Sequence, residues 1–233
     1  MAVAVRRAGD RFRTVAAGRE TWHAFSFGDH YDPAHLGFGL LVACNEERLA
    51  AGTGYPPHEH RGLEIVTWLL DGTLVHEDST GHRATVGPGM VQRLYAGSGV
   101  SHSERAADDA GVTFLQMWLV PDEPALAPEY GRRDVTTGLA AVGWVGLVGA
   151  GTALALHQRD AALHATRLAT ADAVTLPSAP DVYLHVVRGS VELEGTGTLA
   201  AGDAAAVTAA DRQRVTAREP AELLAWAMHA TAG

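Results

Sequence analysis

Apolar and polar positions alternate along this chain in short runs, and most runs stop at Gly, Pro or Asp. Glu64 to Leu69 leads into Asp71-Gly72, and Thr113 to Val120 leads into Pro121. Both runs are rich in β-branched and aromatic residues, which suit a half-buried pleated surface. Asp71-Gly72 reads as a hairpin turn, because both residues tolerate positive φ. Gly81, Gly87-Pro88-Gly89 and Gly97-Ser98-Gly99 supply further turns at intervals of about 8–10 residues. This rhythm predicts an all-β sandwich or barrel rather than helices alternating with strands.

Prolines gather at Pro121-Asp122-Glu123-Pro124 and again at Pro128, which reads as a connector. A second β-rich stretch follows, with Val182 to Val187, a turn at Arg188-Gly189, and Ser190 to Leu193. Ala201-Gly202-Asp203 opens another strand, and Glu222 to Met228 closes the set. The Ala-rich piece Leu199 to Ala210 carries Gly and turn signals, so it reads as strand and loop rather than helix. Gly89-Met90-Val91 corresponds to Gly202-Asp203-Ala204 in a weak internal repeat, which predicts two related β-domains. The expected division is a first barrel over residues 1–122, a connector over 123–150 and a second barrel over 151–233.

Composition narrows the function classes. The 233 residues, 47% hydrophobic and 19% charged, suffice for one large or two small cores. With 18 Lys and Arg, a net charge of −9 and no basic stripe, direct nucleic-acid binding is not expected. Cys44 is the single cysteine, so no intramolecular disulfide can form and a reducing cytoplasm fits; its apolar neighbours Leu40 to Ala43 predict burial. No apolar stretch follows Arg6-Arg7, and no run approaches the roughly 18–20 residues that span a bilayer. A cytoplasmic monomer away from membranes is the expectation.

The chemistry lies between Gly52 and Glu104. His58-Glu59-His60 places two imidazoles at i and i+2, which share one face of a strand with Cα atoms roughly 6.5–7 Å apart. Pro56-Pro57 argues against a helix there. His102-Ser103-Glu104 repeats the spacing just after the glycine-rich turn at 97–99. Three imidazoles and one carboxylate from two strands can converge on one ion at about 2.0–2.2 Å. That donor set suits Fe(II), Zn, Mn, Ni, Cu or Co better than Ca or Mg. His58, His60, His102 and Glu104 are therefore the expected ligands of one divalent transition metal. Glu64 shares their parity but reads as a hydrogen-bonding partner of Arg61 or of a ligand imidazole rather than a ligand. His76 and His82 flank Glu77-Asp78 and read as a solvated hairpin tip. His23, His30 and His35, among Trp22, Phe25, Phe27 and Tyr31, read as core or lid. His157, His164, His185 and His229 form no His-x-His pair, so no second metal site is expected in the C-terminal half.

The segment Gly52 to Gly72 resembles the first cupin motif. Pro57-His58-Glu59-His60-Arg61-Gly62-Leu63-Glu64-Ile65-Val66-Thr67 looks more specifically like the signature of the pirin family. His23 to Phe27, Tyr31-Asp32-Pro33, His76 to Ser79, Ala96 to Glu104 and Leu115 to Trp118 agree with it. The resemblance covers about residues 18–122 closely and the rest more loosely. It implies the cupin superfamily, with two β-barrel (double-stranded β-helix) domains and a metal in the first only, held by His58, His60, His102 and Glu104. Two departures from the general cupin pattern stand out: Ile65 occupies the position of the usual carboxylate ligand, and the second motif ends in Glu104 without the usual Asn. The implied activity is that of a quercetin 2,3-dioxygenase, in which dioxygen opens the central ring of a flavonol with release of carbon monoxide. Fe(II) is the implied ion, with Glu104 both ligating it and accepting the substrate's hydroxyl proton, and apolar barrel residues excluding water. The alternative is an iron-dependent, redox-sensing regulator that acts through a protein partner.

Overall fold

The computed structural model describes residues 2–107, 109–210 and 212–230. Among these the chain forms 21 strands and two short 3-10 turns, with no α-helix. The first are β1 (Ala2–Arg6), β2 (Phe12–Ala16), β3 (Arg19–His23), β4 (Leu41–Leu49), β5 (Gly54–His60), β6 (Glu64–Asp71) and β7 (Leu74–Asp78). Next come β8 (Arg83–Val86), β9 (Met90–Tyr95), β10 (Val100–Ala106), β11 (Val112–Leu119), β12 (Glu129–Asp134), β13 (Val145–Gly149) and β14 (Ala161–Leu168). The last are β15 (Ala173–Thr175), β16 (Asp181–Arg188), β17 (Ser190–Leu193), β18 (Gly197–Ala200), β19 (Ala204–Thr208), β20 (Arg214–Ala217) and β21 (Ala221–Met228). Among the described residues, no helix is long and apolar enough to cross a membrane.

The strands form two barrels of one plan. In the first, a seven-stranded sheet ordered β12-β9-β6-β11-β4-β3-β2 faces a four-stranded sheet ordered β5-β10-β7-β8. In the second, β1-β19-β16-β21-β14-β13 faces β15-β20-β17-β18. Apart from the extra β2, the two sets match strand for strand, so the weak sequence repeat is a strong structural one. The chain does not divide cleanly between them. β1 crosses over to pair with β19 of the second barrel, Ala2 opposite Thr208. The stretch expected as a connector carries β12, which pairs with β9, and β13, which pairs with β14.

Asp71-Gly72 is not a hairpin turn. β6 and β7 lie in different sheets, and the chain turns a corner between them at Gly72, with φ of +76°. Arg188-Gly189 makes the equivalent corner between β16 and β17, with φ of +74°. The local signal for positive φ was real, but a corner between sheets uses the same backbone as a tight hairpin.

The pleat decides what each strand buries. On β6, Ile65, Thr67 and Leu69 point into the first barrel, while Glu64, Val66 and Trp68 point toward the second. β11 divides likewise, with Phe114 and Gln116 inward and Leu115, Met117 and Leu119 outward. The outward residues pack with Leu224, Trp226, Met228 and Tyr183 of the second barrel in one apolar cluster. Polar contacts pin it: Trp68 Nε1 donates to Glu222 Oε1 at 2.8 Å, and Trp226 Nε1 meets Met117 Sδ at 3.1 Å. Cys44 is buried in the same layer as expected, with its thiol pushed up to about 12 by burial.

A Cβ added at Gly72 would land on the carbonyl oxygen of Gly111, whereas one at Gly81 (φ +96°) would meet nothing within 4 Å. Gly72→Ala should therefore cost about 2 kcal/mol or more, a fall in Tm of about 4–8 °C. Gly81→Ala should lose only the backbone term; calorimetry of both variants checks the order.

Candidate metal centre

β5 is an edge strand of the four-stranded sheet, which is why it accepts Pro56-Pro57 without losing a ladder bond on both sides. Its outer residues Pro56, Pro57 and Glu59 are exposed, and His58 and His60 turn toward the barrel. β10 lies between β5 and β7, and alternates buried and half-buried positions over its whole length. His102 sits opposite His58 on one side and Asp78 on the other; Glu104 sits opposite Tyr55 and His76. The register against β5 shifts between His102 and Glu104, a bulge of the kind that re-aims side chains beside sites.

The three imidazoles converge. Ring centroids of His58 and His102 are 4.5 Å apart, those of His58 and His60 4.8 Å, and those of His60 and His102 5.1 Å. One nitrogen from each lies within 4.8 Å of the others. His58 Nδ1 lies 2.9 Å from the Pro56 carbonyl oxygen, which can only accept, so Nδ1 carries the proton and Nε2 is left to ligate. His102 is buried, and neither of its ring nitrogens has a hydrogen-bond partner. Such an orphaned imidazole is costly unless something else occupies its lone pair, and a bound cation does so. Burial, reinforced by the neighbouring imidazoles, pushes His60 down to about 4 and His102 to about 3, so both are neutral imidazoles at pH 7, the form a metal requires.

Glu104 is held by two amides. Gln92 Nε2 donates to Oε1 at 3.0 Å and Gln116 Nε2 donates to Oε2 at 2.8 Å. Each amide is itself oriented, because Tyr130 Oη donates to Gln92 Oε1 and Trp118 Nε1 donates to Gln116 Oε1. Among the described residues the four expected ligands fall into two overlapping groups rather than one. His58, His60 and His102 form the outer group; His76, His102 and Glu104 form the inner.

His76 is thus the residue that the sequence reading misplaced. It is not at a solvated tip but fully buried, stacked on Tyr130 at 4.5 Å and bonded through Nε2 to Asp78 Oδ2 at 3.0 Å. β7 runs beside β10 to Asp78, so His76 faces Glu104 and the turn begins only at Ser79. The alternation Leu74, His76, Asp78 was the available signal. His82, beyond the turn, is half exposed as expected. Glu64 does not share the cavity with His58 and His60. The chain passes to the other sheet at Gly62, so parity does not carry across, and Glu64 instead pairs with Arg93 at 2.9 Å and accepts the His157 backbone N–H. His23 is buried, donating from Nδ1 to Asn45 Oδ1 at 3.0 Å.

A cavity of about 520 Å³ opens beside His60, lined also by Glu59, Arg61, Ser79, Ser98 and Ser101. This lining is chiefly polar, contrary to the apolar enclosure expected. Outside that lining, the Trp118 ring meets His60 edge-on at 5.0 Å, and Phe27 packs against Trp118 at 5.0 Å.

A family model described as pirin matches residues 5–119, and one described as the quercetinase C-terminal cupin domain matches residues 148–227. The chain is 43% identical to Rv0181c of Mycobacterium tuberculosis (strain ATCC 25618 / H37Rv), over 99% of this chain and 97% of that one. The chain belongs to the pirin family. As a pirin-family protein it is similar to the quercetin 2,3-dioxygenase of Escherichia coli (strain K12), with 32% identity over 82% of this chain and 84% of that one. Its fold, two cupin barrels in one chain, matches the crystal structure of the bacterial pirin YhhW of Escherichia coli in complex with nickel(II), with a TM-score of 0.89 at 27% identity over 99% of this chain and 100% of that one.

The lowered His60 and His102 values set a pH dependence for the metal-free protein. The unfolded chain takes up these protons near the ordinary 6.5, while the folded chain refuses them until about 4 and about 3. Their contribution is present above pH 6.5 and lost as pH falls from there toward 3. Calorimetry of metal-free protein should show Tm falling over that window, and His102→Gln should flatten the fall.

Proposed function

We propose that this chain is a metal-dependent dioxygenase of the pirin type, opening the central ring of quercetin-like flavonols with release of carbon monoxide. The observation that carries the reading is the buried His102 imidazole, unpartnered at both nitrogens, between His58 and His60 on one side and Glu104 on the other. The name of the Escherichia coli relative supports the substrate class. His58, His60, His102 and Glu104 would hold one divalent transition metal, with Fe(II) the working choice and Zn, Mn, Ni, Cu or Co also compatible with three imidazoles and a carboxylate. When bound, the ion supplies Lewis-acid polarisation of the substrate oxygen.

The chain's own residues do the rest. Glu104 takes the proton of the flavonol 3-hydroxyl, and its two amide donors fix the direction in which its oxygens face. Trp118, in edge contact with His60, offers aromatic surface next to the imidazoles for a flat ring system. An open, apolar, flavonol-sized pocket would favour catalysis and a filled one the regulator reading; the cavity beside His60 is open but chiefly polar, so it supports catalysis by its openness alone. The absence of a basic stripe supports a protein that does not act on nucleic acid directly, and the single buried Cys44 fits a reducing cytoplasm.

Anaerobic loading with Fe(II), followed by quercetin loss, oxygen uptake and carbon monoxide release, tests this. Glu104→Gln should lower turnover about 100-fold or more while one ion per chain is retained. Equal loss of ion and turnover would contradict the dual role, and wild-type protein that holds its ion but consumes no flavonol would overturn the reading.

A further inference from the structure

Adjoining the metal centre at Tyr55 lies a second chamber of about 210 Å³, lined by Arg19, Thr21, His23, Phe27, Glu47 and Tyr55 among others. Its walls touch the metal centre through single rings. Tyr55 meets His58 at 5.9 Å between centroids, and Phe27 meets Trp118, which in turn meets His60, each at 5.0 Å. The base of the chamber is the carboxyl of Glu47, which is buried. Thr21 Oγ1 donates to its Oε2 at 2.6 Å and Tyr55 Oη donates to the same oxygen at 2.8 Å. No described residue bonds Oε1.

A buried carboxyl of this kind is expensive as mere architecture. Burial pushes Glu47 up to about 7, and the nearby Arg19 is not ion-paired with it but lies over the Tyr55 ring at 4.5 Å. An aliphatic side chain would pack the same place at less cost. The free oxygen accepts, the aromatic walls favour a flat ring, and Arg19 at the rim disfavours a cationic guest. Asp29 and Glu47 together disfavour a carboxylate. A neutral hydroxylated ring satisfies all four.

We propose that this chamber is a second substrate subsite, in which Glu47 Oε1 accepts a phenolic O–H from a hydroxylated aromatic ring lying between Phe27 and Tyr55. Glu47 then acts as a specificity residue that seats the far ring of the flavonol while the reacting ring lies at the metal centre. The assignment of the guest as part of a flavonol rests on the proposed dioxygenase reading; the chamber's preference for phenols does not.

Catechol titrated calorimetrically into metal-free, full-length protein tests the chamber apart from turnover, with 1,2-dimethoxybenzene as the probe that has no O–H to donate. Catechol should bind wild type about tenfold or more tightly than the dimethyl ether, and Glu47→Leu should erase that difference. Glu47→Gln, which keeps the shape if the Leu variant folds poorly, should reduce it. In the Fe(II)-loaded protein Glu47→Gln should raise KM for quercetin about tenfold with kcat much less affected. Equal binding of the two probes by wild type, or undiminished discrimination in both folded variants, overturns the proposal. Discrimination of the probes without flavonol turnover leaves the chamber standing and removes the dioxygenase reading.

Discussion

A strand has two faces, and in the first barrel the inner one is largely surrendered to polar groups. Asn45, Glu47, Gln92, His102, Glu104 and Gln116 all point inward and are buried. Such groups desolvate at a cost that their mutual hydrogen bonds only offset, so the barrel cannot draw its cohesion from its interior alone. The apolar clusters inside it are small and lie at its two ends, one around Phe114 and Leu74, the other around Ile65 and Leu94. The missing apolar burial comes from outside. Val66, Trp68, Leu115, Met117 and Leu119 face the second barrel and share one cluster with Trp226, Leu224 and Met228. The second barrel is therefore more than a cover; its contact is what allows the first to keep a polar interior.

That constraint reaches the metal centre through β12. This strand comes from the proline-rich stretch after the first barrel and returns to pair with β9. It brings Tyr130, which stacks on His76 and orients Gln92, the amide that holds Glu104. The carboxylate is thus positioned from three separate stretches: β9 for Gln92, β11 for Gln116 and β12 for Tyr130. A chain of oriented dipoles is rigid because each member has one acceptable arrangement. Preorganisation of this kind fixes an acceptor's direction before a substrate arrives.

The sequence carried the strands and the outer imidazoles because both depend on a period of two within a single strand. His58-Glu59-His60 and His102-Ser103-Glu104 needed only local geometry. What was not legible depended on which sheet a strand joins. Glu64 follows His60 by four residues, yet the turn at Gly62 sends it to the other sheet and the other face. His76 looked like part of an acidic turn, but pairing with β10 carries it inside. Asp71-Gly72 announced a positive φ correctly without saying whether the chain doubled back or changed sheet. Gln92, Tyr130 and Glu47 carry no local motif at all, and Gln116 lies in the family-like stretch Leu115 to Trp118 without its role showing there; their roles come from strands far apart in sequence.

The second barrel shows what the same plan does without the chemistry. Counting from the two corner glycines, His76 lies four residues after Gly72, and Leu193 lies four after Gly189. His76 pairs across to Glu104, and Leu193 pairs across to Val215. The inner pair of an imidazole and a carboxylate is therefore matched by two aliphatic side chains, both fully buried in a core of Val, Leu and Ala. The backbone arrangement that presents an imidazole and a carboxylate in one barrel is filled by dispersion contacts in the other. Since the two sheets match strand for strand, the difference between a site and a core here lies in the inward side chains. The aliphatic barrel supplies stability that the polar one forgoes, and the contact between their large sheets is where that stability is shared.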